Sequence, residues 1–177
     1  MARTARVSFP AMTVLMGRMP RYAAYLTEAE AAAAERIFRH ALGAVLHDCR
    51  SHLVAVLERK SQILSSDQEH LIEGLVERIS RIFRRLDREG RVCLVGDCLT
   101  TIAELEALDL QLILMVEDAL SLARNLIPDV PAAAWFKHDA GRLCTELDTF
   151  SEMAEERNYL LGLGWESEFT WPGRSEA

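Results

Sequence analysis

No stretch of this chain approaches the ~20 consecutive apolar residues that a bilayer span requires, which excludes an integral membrane protein. Cysteine is sparse. Cys49, Cys93, Cys98 and Cys144 are scattered across expected helices with two of them on core faces, so they read as reduced packing residues rather than a disulfide frame. Strand signals are nearly absent. Val92 to Val95 is the one β-like run, and with no second candidate to pair with it it is read as loop or as the start of the next helix. Also missing are a Gly-x-Ser-x-Gly elbow, a Walker loop and the Glu-x-x-His pairs of di-iron bundles, which removes the commonest hydrolytic, nucleotide-binding and oxidative chemistries. Internal repeats are lacking too, and low complexity is confined to one alanine turn. Acid is absent before Glu28, although Arg3, Arg6, Arg18 and Arg21 stand there and Pro10, Gly17 and Pro20 interrupt any helix. A basic, acid-free start can be a transit peptide, and Val7 to Met16 has some likeness to a secretory apolar region broken by Pro10. The preferred reading is an irregular arm, residues 1–26, whose Phe9, Met12, Val14, Leu15 and Met16 pack on a bundle or on a partner.

What is present is ordinary globular material. The 177 residues are 50% hydrophobic and 27% charged, enough for one domain with a sizeable core. A formal charge of −7 and a pI near 5.3 argue against nucleic acid or an anionic membrane as the main partner. Free thiols and the missing span place the chain in the cytoplasm.

The rest, residues 27–164, reads as helix after helix. Thr27 and Glu30 form a capping box before an alanine-rich turn, Ala29 to Ala34. From there an apolar stripe runs through Phe38, Leu42, Val45, Cys49, Leu53, Val56 and Ile63 at steps of three and four. Only Gly43 interrupts it before Ser65, so this helix is long, or breaks near that glycine. Ser66 with Glu69 forms a second box, opening a helix from Asp67 to about Arg88. Acids lie in its first half and Arg78, Arg81, Arg84, Arg85 and Arg88 in its second, an order that suits the helix dipole. Gly90 is its natural C-cap, and the short link makes the first two helices an antiparallel hairpin. A third helix ends at Ile127 before Pro128, apolar nearly all round between Leu110 and Val116. That pattern suits the most buried helix or an oligomer interface. The fourth opens at Asp129 or Pro131 and closes at Gly162 and Gly164, with Phe136, Ala140, Leu143, Leu147, Phe150 and Met153 along one side. A tail, residues 165–177, carries Trp165, Phe169 and Trp171 among Glu166, Glu168 and Glu176. It either folds back on the bundle or binds a partner protein.

Chemistry concentrates around His47. At 100° per residue His47 falls opposite the apolar stripe and faces water, beside Asp48 and Arg50. The run His47 to Val56 resembles the phosphoacceptor helix of two-component sensor histidine kinases: His47, Asp48, Arg50, Leu53 and Val56 match its order and spacing. In that family two such hairpins dimerise into a four-helix bundle. The resemblance covers Thr27 to Gly90. It implies His47 as phosphoacceptor, with Asp48 orienting or deprotonating the imidazole. Ser51-His52 stands where the family has Asn-Pro or Thr-Pro, and nothing downstream reads as an ATP-binding domain. A phosphotransfer or dimerisation module is therefore implied, and not a kinase. A second resemblance, of Leu46-His47-Asp48 and of Lys137 to Arg142, is to metal-dependent HD phosphohydrolases, whose upstream His and distant Asp are missing. As metal ligands, Asp48 with His52 and His40 with His47 lack a third and a fourth partner, and His52 fits better at the core edge, hydrogen-bonded. Cys93 and Cys98 lack the second pair that zinc needs.

The sequence thus specifies an all-α antiparallel bundle of four main helices, with no metal or other cofactor expected. Its leading function is a non-enzymatic interaction, regulatory or structural subunit that binds a protein partner or itself. A phosphotransfer module in signalling, with His47 and Asp48 as its chemistry, stands second, and a metal-dependent phosphohydrolase third.

Overall fold

The computed structural model describes residues 14–60, 63–87, 92–127 and 133–163. Within them the chain is all-α, as expected. A 3-10 helix, Tyr22–Leu26, precedes four long helices: α1 (Glu28–Lys60), α2 (Ser66–Leu86), α3 (Cys98–Arg124) and α4 (Ala133–Leu160). No strand occurs among the described residues, and no described helix is long and apolar enough to cross a membrane.

α1 runs unbroken through Gly43 for 33 residues, about 50 Å at 1.5 Å per residue. Its expected stripe is the core: Phe38, Leu42, Cys49, Leu53 and Val56 are all sealed. Ile63 is the exception, 81% exposed beyond the helix end. The second capping box falls one residue earlier than the spacing suggested. Ser65 is extended and accepts from the backbone N–H of Gln68, whose side chain accepts from the Ser65 N–H; Ser66 is already helical. A glutamine does this as well as the glutamate sought at position 69. α3 stops at Arg124, three residues short of Ile127, because the chain folds Leu126 inward before Pro128.

Consecutive helices alternate in direction. Their neighbours are set by packing: α1 lies against α2 and α3, and α4 against the same two, so the link from α2 to α3 crosses the end of the bundle. Cys49 beside the Ala119 carbonyl and His52 beside that of Leu126 make α1 and α3 parallel. The pairs Arg78–Asp148 and Arg85–Glu155, both at 3.0 Å, make α2 and α4 parallel and use two of the second helix's arginines. The buried faces of α1 and α2 share one core with α3 and α4.

The crossing link passes over a closed end. Val92 to Val95 is non-helical, and its partner is the turn after α4: Cys93 and Val95 donate their N–H groups to the carbonyls of Leu161 and Leu160 at 2.9 and 3.0 Å. That turn is a Schellman motif, with Leu163 N–H on the Asn158 carbonyl and Gly162 N–H on that of Tyr159. Gly162 has φ +68°, and a Cβ there would run into the Cys93 carbonyl oxygen, so only glycine fits. Val92, Leu161 and Leu163 join Tyr25, Ala31 and Leu105 in a small apolar plug at this end. Of the basic arm, Leu15 is buried in the main core while Val14 and Met16 are exposed; Phe9 and Met12 lie outside the described residues.

Candidate functional site

Beneath the plug lies a charge cluster that the periodicity does not announce. Glu35, Asp109 and Arg157 are 3%, 0% and 2% exposed. Each occupies an inward position of its helix, Glu35 between Ala31 and Phe38, Asp109 between Leu105 and Leu112, Arg157 between Ala154 and Leu161. Arg157 donates from Nε and Nη2 to the two Asp109 oxygens, from Nη1 to Glu35, and from Nη2 to the Tyr25 hydroxyl. Its guanidinium carbon lies 4.9 Å from the centre of the Phe38 ring, a cation–π contact. Tyr25 donates to Glu35 at 2.8 Å and Tyr22 to Asp109 at 3.0 Å, which ties the 3-10 helix to α1 and α3.

Arg39 is the second cation. It pairs with Glu35 through Nε, and its Nη1 donates to the Leu86 carbonyl at 3.1 Å. Asn158 donates to the Arg85 carbonyl at 3.1 Å. The two side chains therefore satisfy carbonyls that the C-terminus of α2 leaves without helical partners.

Two carboxylates and two guanidiniums cancel in charge, which is the condition for keeping them out of water. Burial pushes the Glu35 carboxyl up, but the guanidiniums of Arg157 and Arg39 outweigh it and hold the group down at about 2. At Asp109 burial prevails over the attraction of Arg157, and repulsion from Glu35 adds to it, so this carboxyl is raised. Burial next to these carboxylates also raises the phenols of Tyr22 and Tyr25. The charges of the cluster bond one another and the two tyrosines, which ties the 3-10 helix, α1, α3 and α4 together at this end.

What is open lies beside it. A groove of about 720 Å³ runs along the outer face of α1 where α2 ends. Its floor is Gly43, Ala44, Phe83, Leu86, Val92 and Leu163. Its walls carry Arg36, Arg39, Arg84, His40 and His47, against Glu35, already paired to two arginines, and the exposed Asp87. A second apolar cavity, about 710 Å³, adjoins it between α1 and Leu15 and shares Arg36, His40 and Ala44.

His47 is exposed, as its angle on the helix implies, and so is the neighbouring Asp48. His47 and His40, seven residues apart, line the same groove. Arg50, from the same motif, is half-buried and leaves its Nε enclosed without a partner. His52 is half-buried with Nε2 3.0 Å from the Leu126 carbonyl, the core-edge hydrogen bond expected of it. His138 sits on α4, diagonally across the bundle from α1, so the two segments with HD-like sequence do not come together. No group of three His, Cys, Asp or Glu among the described residues is placed to hold a metal ion. Cys93 and Cys98 are exposed, whereas burial pushes the Cys49 thiol up to about 12. Trp165, Phe169 and Trp171 lie outside the described residues.

Comparison with protein-family models, with curated proteins and with solved structures finds no match to this chain.

Proposed function

We propose that this protein is a non-enzymatic interaction module that binds an acidic, apolar segment of a partner protein in the groove between α1 and α2. One observation carries the reading: in a chain of net charge −7, the open groove beside α1 has an apolar floor and walls rich in arginine and histidine. Apolar floor supplies affinity, while the charged rim selects and steers an acidic partner. Titration of the full chain with a peptide of alternating acidic and aromatic residues tests this by NMR of the His40 and His47 rings. Both imidazoles shift saturably, and Arg36→Glu with Arg84→Glu weakens binding by roughly tenfold or more, about 1.4 kcal/mol. Unmoved imidazoles at millimolar peptide, or unchanged binding after charge reversal, overturn it.

A second reading rests on His47 itself, an exposed imidazole beside an exposed carboxylate on α1. As a phosphotransfer module the chain needs no second hairpin, because one copy builds the whole bundle. Incubation with a phosphorylated response regulator then gives a 32P-labelled, acid-labile adduct that His47→Gln abolishes. Absence of label with the wild-type chain removes this reading and leaves the first intact.

A further inference from the structure

The groove's chemistry matches a segment of the same chain. Residues 164–177 follow directly on Leu163, which is 4% exposed and is itself part of the groove floor. They bring Trp165, Phe169 and Trp171 together with Glu166, Glu168 and Glu176 against the single Arg174. Lengths agree as well. From Glu35 to His47 the wall of α1 rises about 18 Å at 1.5 Å per residue. Trp165 to Trp171, if extended, covers about 20 Å.

We propose that residues 164–177 fill the groove of their own chain, Trp165, Phe169 and Trp171 against its apolar floor and Glu166 and Glu168 against Arg36 and Arg84. This rests on the groove being a docking site, as proposed above, and adds that its first occupant is intramolecular. A partner then competes with a tethered ligand. Short tethers give effective concentrations near the millimolar range. A segment with intrinsic affinity near 10 μM therefore lowers a partner's apparent affinity roughly 100-fold. The tail acts as a threshold, admitting only partners that outbid it.

Tryptophan emission tests this in the full chain. Trp135 is buried and donates its Nε1–H to the Leu122 carbonyl at 2.8 Å, so the variant Trp165→Phe with Trp171→Phe isolates its spectrum. The difference from wild type is the emission of the tail. Docking in cis predicts that this emission is blue-shifted and protected from acrylamide relative to the free synthetic peptide 164–177. The protection is independent of protein concentration and is lost in Arg36→Glu with Arg84→Glu. Tail emission equal to that of the free peptide overturns the proposal. Protection that grows with protein concentration overturns it in favour of a second copy's tail.

A trans experiment separates this inference from the reading beneath it. The peptide 164–177 is expected to bind the full-length variant Trp165→Ala, Phe169→Ala, Trp171→Ala roughly 100-fold more tightly than wild type. Equal binding to both keeps the groove as a docking site and removes the intramolecular occupant. Binding to neither removes the intramolecular occupant, and the titration with the acidic and aromatic peptide then decides the docking site.

Discussion

The two ends of this bundle are held by different physics. Around Cys49, Leu53 and Trp135, the half where α1 runs out and α4 begins, the interior is apolar, with half-buried His52 bonded to the Leu126 carbonyl and buried Trp135 to that of Leu122. At the opposite end the interior is ionic: one arginine spans two carboxylates, two tyrosines close over them, and an apolar plug covers the whole. Apolar packing stabilises without dictating direction, whereas a guanidinium fork accepts its partners only in one geometry. The ionic end is also where the topology is least regular. There a 3-10 helix, the α2–α3 crossing and the turn after α4 must meet in register. The groove is built on that end, with Glu35, Arg39, Leu86, Val92 and Leu163 among its lining. Two residues of its lining, Glu35 and Arg39, belong to the charge cluster itself.

The largest effect should come from Arg157→Ala. It leaves Glu35 and Asp109 buried without their shared cation, at a cost of about 3–5 kcal/mol in denaturant unfolding. Leu53→Ala, in the apolar half, is expected to cost about 2–5 kcal/mol through the cavity it opens. Size alone does not separate them, but acid does. As the carboxylates become neutral the Arg157→Ala deficit shrinks, while that of Leu53→Ala stays. A deficit for Arg157→Ala below about 1 kcal/mol, or one insensitive to pH, would mean that the two ends do not differ as described.

Glu35 gives the next effect. Its carboxyl is depressed from 4.5 to about 2 in the folded chain. Its contribution is therefore fully present above the unfolded value and is lost as pH falls through the folded one. At 1.36 kcal/mol per unit this amounts to about 3 kcal/mol. The stability gap between wild type and Glu35→Gln should accordingly be widest at and above pH 5 and narrow steadily toward pH 2. Asp109, whose carboxyl is raised, works in the opposite sense: its contribution diminishes as pH rises. Comparing two proteins that both retain Asp109 keeps the Glu35 effect in view. A gap that widens on acidification would reverse the assignment of the charge.

Much of the apolar half was legible in the sequence. Steps of three and four located Phe38 to Val56 and Leu143 to Phe150 because burial imposes that period on any helix. The ionic end was not, because a charge on a helix is read as a solvated face unless its position is weighed against its neighbours. The signal existed. Glu35, Asp109 and Arg157 each stand where the stripe calls for an apolar residue, on three helices and with opposite signs. Pairing them required knowing which helices adjoin. Val92 to Val95 was obscure for a related reason: its partner is the backbone after α4, a segment with no strand signal of its own. His47 was placed on the outer face of α1 from its angle alone. The groove was not foreseen, since it depends on where α2 ends against α1.

The smallest expected effect tests whether the ends are energetically separate. Tyr25→Phe removes a donor to Glu35, and Ser65→Ala removes the capping oxygen of α2 at the other end, worth about 1 kcal/mol. Tyr25 is hydrogen-bonded to Glu35 and Arg157 and Ser65 to Gln68 and Glu69, so among the described residues the two share no hydrogen-bond partner. Their double mutant should be additive within about 0.5 kcal/mol. Tyr25→Phe with Glu35→Gln lies within one network, so a coupling of about 1 kcal/mol is expected there. Urea unfolding of the two cycles decides. If Tyr25 and Ser65 couple as strongly as Tyr25 and Glu35, strain passes along the full length of α1 and the groove responds to the whole bundle. If only the second pair couples, the cluster is a local clamp, and changes at the apolar end leave the groove unaltered.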